Sequence, residues 1–257
     1  MQSKAGVPSM NVIHFGNPNS SVVMFLHGGG LSWWNYREIA ALLQDKYHII
    51  LPILDGHAGS DADFVSIEEN ARRVIRYIDE YLDGQILVLG GVSLGAQIAA
   101  EILATRPDIC RCALLESALV RPMKLTHALI PAAFGVSYRL IRQKWFARLQ
   151  AAYLGIPKSL FEDYYRDTSA ITKPNLISFL QSNSVYRIND GLAHTTARVK
   201  IVAGARELPA MRASARLLHS TIPGSDLEIL PGFSHGELSL CQSQKYIQIL
   251  QSLTDSI

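Results

Sequence analysis

Cysteine, charge and long apolar runs are all scarce in this chain, and each scarcity narrows what it can be. There are three cysteines, Cys110, Cys112 and Cys241. An odd count without regular spacing argues against a disulfide framework and fits a reducing compartment. The single residue between Cys110 and Cys112 matches neither a zinc knuckle nor a redox pair. Charged residues make up 18% of the chain and the formal net charge is +2, too mild to point to a nucleic-acid partner. No uninterrupted apolar run approaches the ~20 residues a membrane span needs. The opening MQSKAGVPSMNVIHFG lacks the apolar stretch of a signal peptide, so the cytoplasm is the expected location. Internal repeats, low-complexity segments and metal-ligand spacings are absent too, and neither a metal nor an organic cofactor is expected.

What is present is a globular chain of 257 residues, 48% of them hydrophobic, enough for a substantial core. Short apolar runs alternate with helical patterns. Strands are predicted at 21–26, 48–53, 85–89, 112–115, 199–203 and 227–230. Helices are predicted at 36–44, from 67 to 82, at 96–105, at 209–220 and around Tyr246 to Leu253. Ser66 and Glu69 have the spacing of a capping box. Such alternation implies an α/β fold, a mostly parallel sheet with helices on both faces. Residues 119–190 break the rhythm: they are helical and rich in aromatics, Trp145 among them. An insertion of this length predicts a helical cap, or lid, over a core formed by 1–118 and 191–257.

Three separated pieces carry chemistry. Gly91-Val-Ser-Leu-Gly95 lies between an apolar strand and a helical pattern. That is the context in which a sharp turn lifts a serine hydroxyl out of a sheet as a nucleophile. Phe25-Leu-His-Gly-Gly-Gly30 ends the first strong strand. Its glycines let the Gly29 amide join that of Leu94 as two donors aimed at a developing oxyanion. His27 is read as structural. Pro231-Gly-Phe-Ser-His-Gly236 follows the last predicted strand and offers His235 as general base to Ser93. An acid must orient that imidazole. Glu207, leaving the strand at 199–203, is the first choice. Glu116, leaving the strand at 112–115, is the rival, with Asp190 and Asp226 more distant. Trp33, Trp34 and Trp145 are candidate pocket residues for a small-molecule ester.

Over nearly its whole length the sequence resembles the α/β-hydrolase superfamily. The matching pieces are Leu26-His-Gly-Gly-Gly30, Asp55-Gly-His-Ala-Gly-Ser60, Gly91-Val-Ser-Leu-Gly95, Gly204-Ala-Arg-Glu207 and Gly232-Phe-Ser-His235. The resemblance implies an eight-stranded, mostly parallel sheet with a helical cap after the sixth strand. It also implies Ser93 as nucleophile, His235 as base, Glu207 where members commonly carry aspartate, and oxyanion amides at Gly29 and Leu94. Ala58 replaces the second glycine of the family's G-H-G-x-S turn, where His57 is expected to fix the loop. A carboxylic ester is the expected substrate. A thioester, a lactone, a carbon–carbon bond or a non-catalytic ligand-binding role are alternatives, since membership does not choose the reaction.

Overall fold

A computed structural model describes residues 10–255, with Val136 described by its backbone alone. The first nine and last two residues of the expected core, and with them most of the segment in which no leader is expected, lie outside it. The described residues open with β1 (Val12–Phe15), β2 (Val22–Leu26), a 3₁₀ turn (Trp33–Tyr36), α1 (Arg37–Leu43) and β3 (His48–Pro52). It continues with α2 (Ile67–Tyr81), β4 (Ile86–Val92), α3 (Leu94–Thr105) and β5 (Cys110–Glu116). Four helices follow: α4 (Lys124–Ile141), α5 (Lys144–Tyr153), α6 (Phe161–Ala170) and α7 (Lys173–Val185). The chain then continues with β6 (Arg198–Gly204), α8 (Pro209–Thr221), β7 (Asp226–Leu230), α9 (Glu237–Cys241) and α10 (Ser243–Thr254).

Among the described residues the sheet has seven strands in the order β1-β3-β2-β4-β5-β6-β7. β1 runs antiparallel to β3 and every other pairing is parallel. The expected eight strands are not seen among the described residues, and the four helices follow the fifth of these strands, not the sixth. The short edge strand β1 turns at Gly16 (φ 78°) and runs directly into β2.

Both faces of the sheet are covered, and strand residues divide between them with a period of two. Met24 and Leu26 of β2, Ile50 of β3 and Ala113 and Leu115 of β5 pack with α2, α3 and α8, against Val74, Ile98 and Leu218. Their neighbours Val23, Phe25, Ile49, Leu51, Cys112 and Leu114 face α1 and α10, meeting Ile39, Tyr246 and Leu250. Removing one such buried side chain, for example by Phe25→Ala, costs about 3–5 kcal/mol in transfer and cavity terms. The Ser66 hydroxyl accepts from the Glu69 amide at 3.1 Å, half of a capping box. The Glu69 carboxylate turns instead to Arg72.

The crossovers from β2 to β3 and from β3 to β4 leave in opposite directions. The C-terminal ends of β2 and β4 therefore sit side by side at the point where strand order reverses, the place where a crevice opens in an open α/β sheet.

Candidate active site

The three segments that carry Ser93, His235 and the glycine loop lie at that edge. Ser93 connects β4 to α3 with φ 54° and ψ −115°, a backbone conformation that L residues seldom occupy. Its flanks explain the glycines. A Cβ on Gly91 would run into the backbone of Gly95, and one on Gly95 into the Leu26 carbonyl. The hydroxyl is thereby held proud of the sheet, and the first amide of α3, that of Leu94, has no intrahelical acceptor.

His235 follows β7 and is 42% exposed at its side chain. Its Nε2 lies 3.0 Å from Ser93 Oγ and its Nδ1 lies 3.0 Å from Glu207 Oε2. The tautomer that satisfies both contacts carries its proton on Nδ1, so that the serine hydroxyl donates to Nε2. Glu207 leaves β6 and is buried. Its Oε1 accepts from the Gly204 amide at 2.6 Å and from Ser117 Oγ at 2.8 Å. Burial alone would raise the Glu207 pKa, but the contact with His235 and the Gly204 and Ser117 donors outweigh it and hold the carboxyl below its usual range.

Glu116 is placed elsewhere. It is buried at the end of β5, and its Oε1 accepts the amides of Leu238 and Ser239 in α9. Its Oε2 is buried without a hydrogen-bond partner among the described residues. Burial, against the opposing Ser239 hydrogen bonds, pushes its carboxyl up to about 7. The rival acid thus clamps the segment after His235 and does not meet the imidazole. Asp190 opens a 3₁₀ turn, and Asp226 lies at the start of β7 beside Lys200.

The glycine loop is fixed from both sides. Gly28 N–H donates to Asn35 Oδ1 at 3.3 Å and Gly30 N–H to His57 Nε2 at 3.0 Å. Between them, the Gly29 amide meets no protein acceptor among the described residues. Phe179 of α7 lies against Gly29 and stacks on the His57 ring. His27 Nε2 accepts from the Leu54 amide at 3.1 Å. Both histidines donate from Nδ1 to backbone carbonyls, His27 to Gly28 and His57 to Asp55. Each ring therefore accepts at one nitrogen and donates at the other as a neutral imidazole. Burial lowers their pKa values to about 3 for His27 and about 4 for His57.

The three tryptophans are not brought together. Trp34 is 1% exposed and its indole N–H donates to Asp167 of α6 at 2.7 Å, a packing contact that leaves no face for a ligand. Trp33 packs against Phe15 and under the Arg37 guanidinium. Trp145 lies on α5, 56% exposed, edge-on to Phe146. Sequence reasoning missed Ser117, Asn35 and Thr168, whose hydroxyl donates to the Gly30 carbonyl at 3.0 Å. Phe179 is one of many aromatics in residues 119–190 and carries no sequence signal of its own. Among the described residues no three His, Cys, Asp or Glu side chains converge as a metal cage.

Comparison with known proteins agrees with this architecture. The chain is 30% identical over 98 residues to an uncharacterized hydrolase, YugF, of Bacillus subtilis. That match spans 37% of this chain and 36% of the relative, about a third of the relative's length. Among solved structures, an esterase from Exiguobacterium antarcticum superposes with a TM-score of 0.79 at 20% identity, covering 96% of this chain and 95% of that one. A carboxylesterase structure from the Thaumarchaeon Nitrososphaera gargenis gives 0.79 at 15% identity, covering 100% and 99%. At such identities the likeness is one of fold. Residues 23–238 match the alpha/beta hydrolase family, and the chain belongs to that family.

Proposed function

We propose that the chain is a serine hydrolase that cleaves a small or medium carboxylic ester through an acyl-enzyme intermediate. The observation that carries this reading is the unbroken Ser93–His235–Glu207 series, with two contacts of 3.0 Å. In the proposed cycle, His235 Nε2 takes the Ser93 proton as Oγ attacks the ester carbonyl. The oxyanion is held by the amides of Gly29 and Leu94, each worth ~10²–10³ in turnover. His235 then protonates the departing alcohol, and water attacks the acyl-enzyme by the same route to release the acid. Glu207 keeps the imidazole in its productive tautomer and stabilises the imidazolium. The esterase and carboxylesterase identities of the structurally similar proteins support the ester over other acyl compounds.

Residues 119–190 act as a cap in this reading. Phe179 against Gly29, Asp167 on Trp34 and Thr168 on the Gly30 carbonyl tie the insertion to the glycine loop. It would form the apolar roof of the acyl site.

The test is labelling with a fluorophosphonate followed by a panel of activated esters of increasing chain length. Wild-type protein should be labelled and should turn over short esters. Folded Ser93→Ala should lose the label and lower turnover by on the order of 10⁶. Absence of labelling in the wild type would favour a non-catalytic binding protein, and cleavage of a β-diketone but no ester would favour carbon–carbon hydrolysis.

A further inference from the structure

From Ser117 to Phe161 the chain has seven Lys and Arg residues and not one Asp or Glu. This stretch alone carries +7 against +2 for the whole chain, so the remainder is net acidic. It builds α4 and α5, the first two helices of the insertion. Of the seven cations, Lys144 alone meets a carboxylate among the described residues, Glu162 at 2.8 Å.

The same stretch holds most of the large apolar side chains exposed among the described residues. Seven of the twelve exposed large apolar residues among those described lie between Leu125 and Leu154. On α5, Ala147 and Ala151 are buried while Trp145, Leu149 and Tyr153 stand out at 56%, 62% and 89% exposure. Their spacing of four residues makes one outward stripe along the helix. On α4, Leu125 and Leu129 repeat the spacing, both more than half exposed. Scattered exposed leucines need no explanation, but concentration on consecutive helices does.

We propose that α4 and α5 form a docking surface for an anionic lipid membrane. Aliphatic and aromatic side chains on one stripe, with cations outnumbering the single neighbouring carboxylate, Glu162 on Lys144, are the composition of helices that lie in the headgroup region. Leucines would enter the acyl boundary, Trp145 and Tyr153 would sit at the headgroup level, and the long basic side chains would reach phosphates. Charge argues against a second copy as occupant, because two such faces would set cations against cations. No helix among the described residues is long and apolar enough to cross a membrane, so the binding is peripheral and reversible. The inference stands apart from the proposed chemistry, since it uses none of Ser93, His235, Glu207, Gly29 and Leu94, and flotation is read without turnover.

The experiment is vesicle flotation without substrate, using phosphatidylcholine alone or mixed with phosphatidylglycerol. Wild-type protein should float with the mixed vesicles, stay behind with phosphatidylcholine alone, and be released by high salt. Fluorescence from Trp145 should shift to the blue on the mixed vesicles. Leu149→Glu combined with Tyr153→Glu should abolish flotation while preserving circular dichroism. Lys124→Glu with Arg139→Glu should weaken it at least about 25-fold, at a factor of about five per cation. The proposal is overturned if wild-type protein ignores both vesicles, or if the Leu149/Tyr153 variant floats equally well. A dimer in sedimentation that the same variant dissociates would overturn it too, and would assign the face to contact between copies.

Discussion

Ser117 Oγ donates to Glu207 Oε1 at 2.8 Å, while Oε2 of the same carboxylate faces His235. Ser117 has φ 55°, one of three non-glycine residues with positive φ among those described. The same hydroxyl lies 3.4 Å from the Gly236 amide, directly after the histidine. A glutamate is longer than the task requires, and this contact with the Gly204 amide holds it folded back. Ser117→Ala should lower kcat about tenfold with KM little changed, from loss of one hydrogen bond to a charged acceptor. Ser117→Gly should lose the same activity yet be the more stable of the two, because glycine tolerates the backbone angle. Equal activity in wild type and both variants would remove Ser117 from any part in positioning Glu207.

The two buried glutamates can be separated by amide substitution. Glu207→Gln should cost ~10³–10⁴ in kcat, the effect seen when an amide replaces a triad acid and the imidazole takes the wrong tautomer. Glu116→Gln should leave ester turnover within about threefold, since its carbonyl oxygen can still accept from Leu238 and Ser239. Steady-state kinetics on one activated ester decide the matter; a larger loss at Glu116 than at Glu207 would reverse the assignment.

Opposite pH trends are built into the same edge. His27 and His57 have folded pKa values of about 3 and about 4, below the ordinary 6.5. The unfolded chain binds protons first there, so their contribution to stability is complete above 6.5 and is lost as pH falls toward 4. For His57 the full effect is about 3 kcal/mol. Glu116 has the reverse sign: its carboxyl is raised from 4.5 to about 7. Its contribution is complete below 4.5 and is lost as pH rises through 7, again by about 3 kcal/mol. Urea unfolding from pH 4 to 8.5 should show Glu116→Gln gaining on the wild type as pH rises and His57→Gln gaining as it falls. A pH-independent difference for either variant would contradict its assignment.

How much of this was legible beforehand depended on whether a feature is local in sequence. The path from β4 through Ser93 to α3 could be read because an apolar strand, paired glycines and a helical pattern adjoin one another. β1 escaped because four residues at an antiparallel edge carry almost no periodic signal. Its partner strand β3, buried on both faces, was easy. The choice between Glu207 and Glu116 could not be made from spacing, since both leave neighbouring parallel strands at the same edge. Only the direction of each side chain separates them. Trp33 and Trp34 looked like pocket residues because they follow the glycines. The 3₁₀ turn rotates Trp34 inward to Asp167 instead. Ser117 had no sequence signature at all, because its role depends on a backbone angle.

The left-handed backbone at Ser93 has a thermodynamic corollary. A residue with a Cβ is held there against its own preference, so in the proposed mechanism the nucleophile is kept at a cost in stability. Ser93→Gly, chemically inert, should melt at a higher temperature than the wild type, by the equivalent of about 1 kcal/mol. Under the proposed mechanism, selection for thermal resistance alone would therefore drift toward a molecule that folds better and hydrolyses nothing.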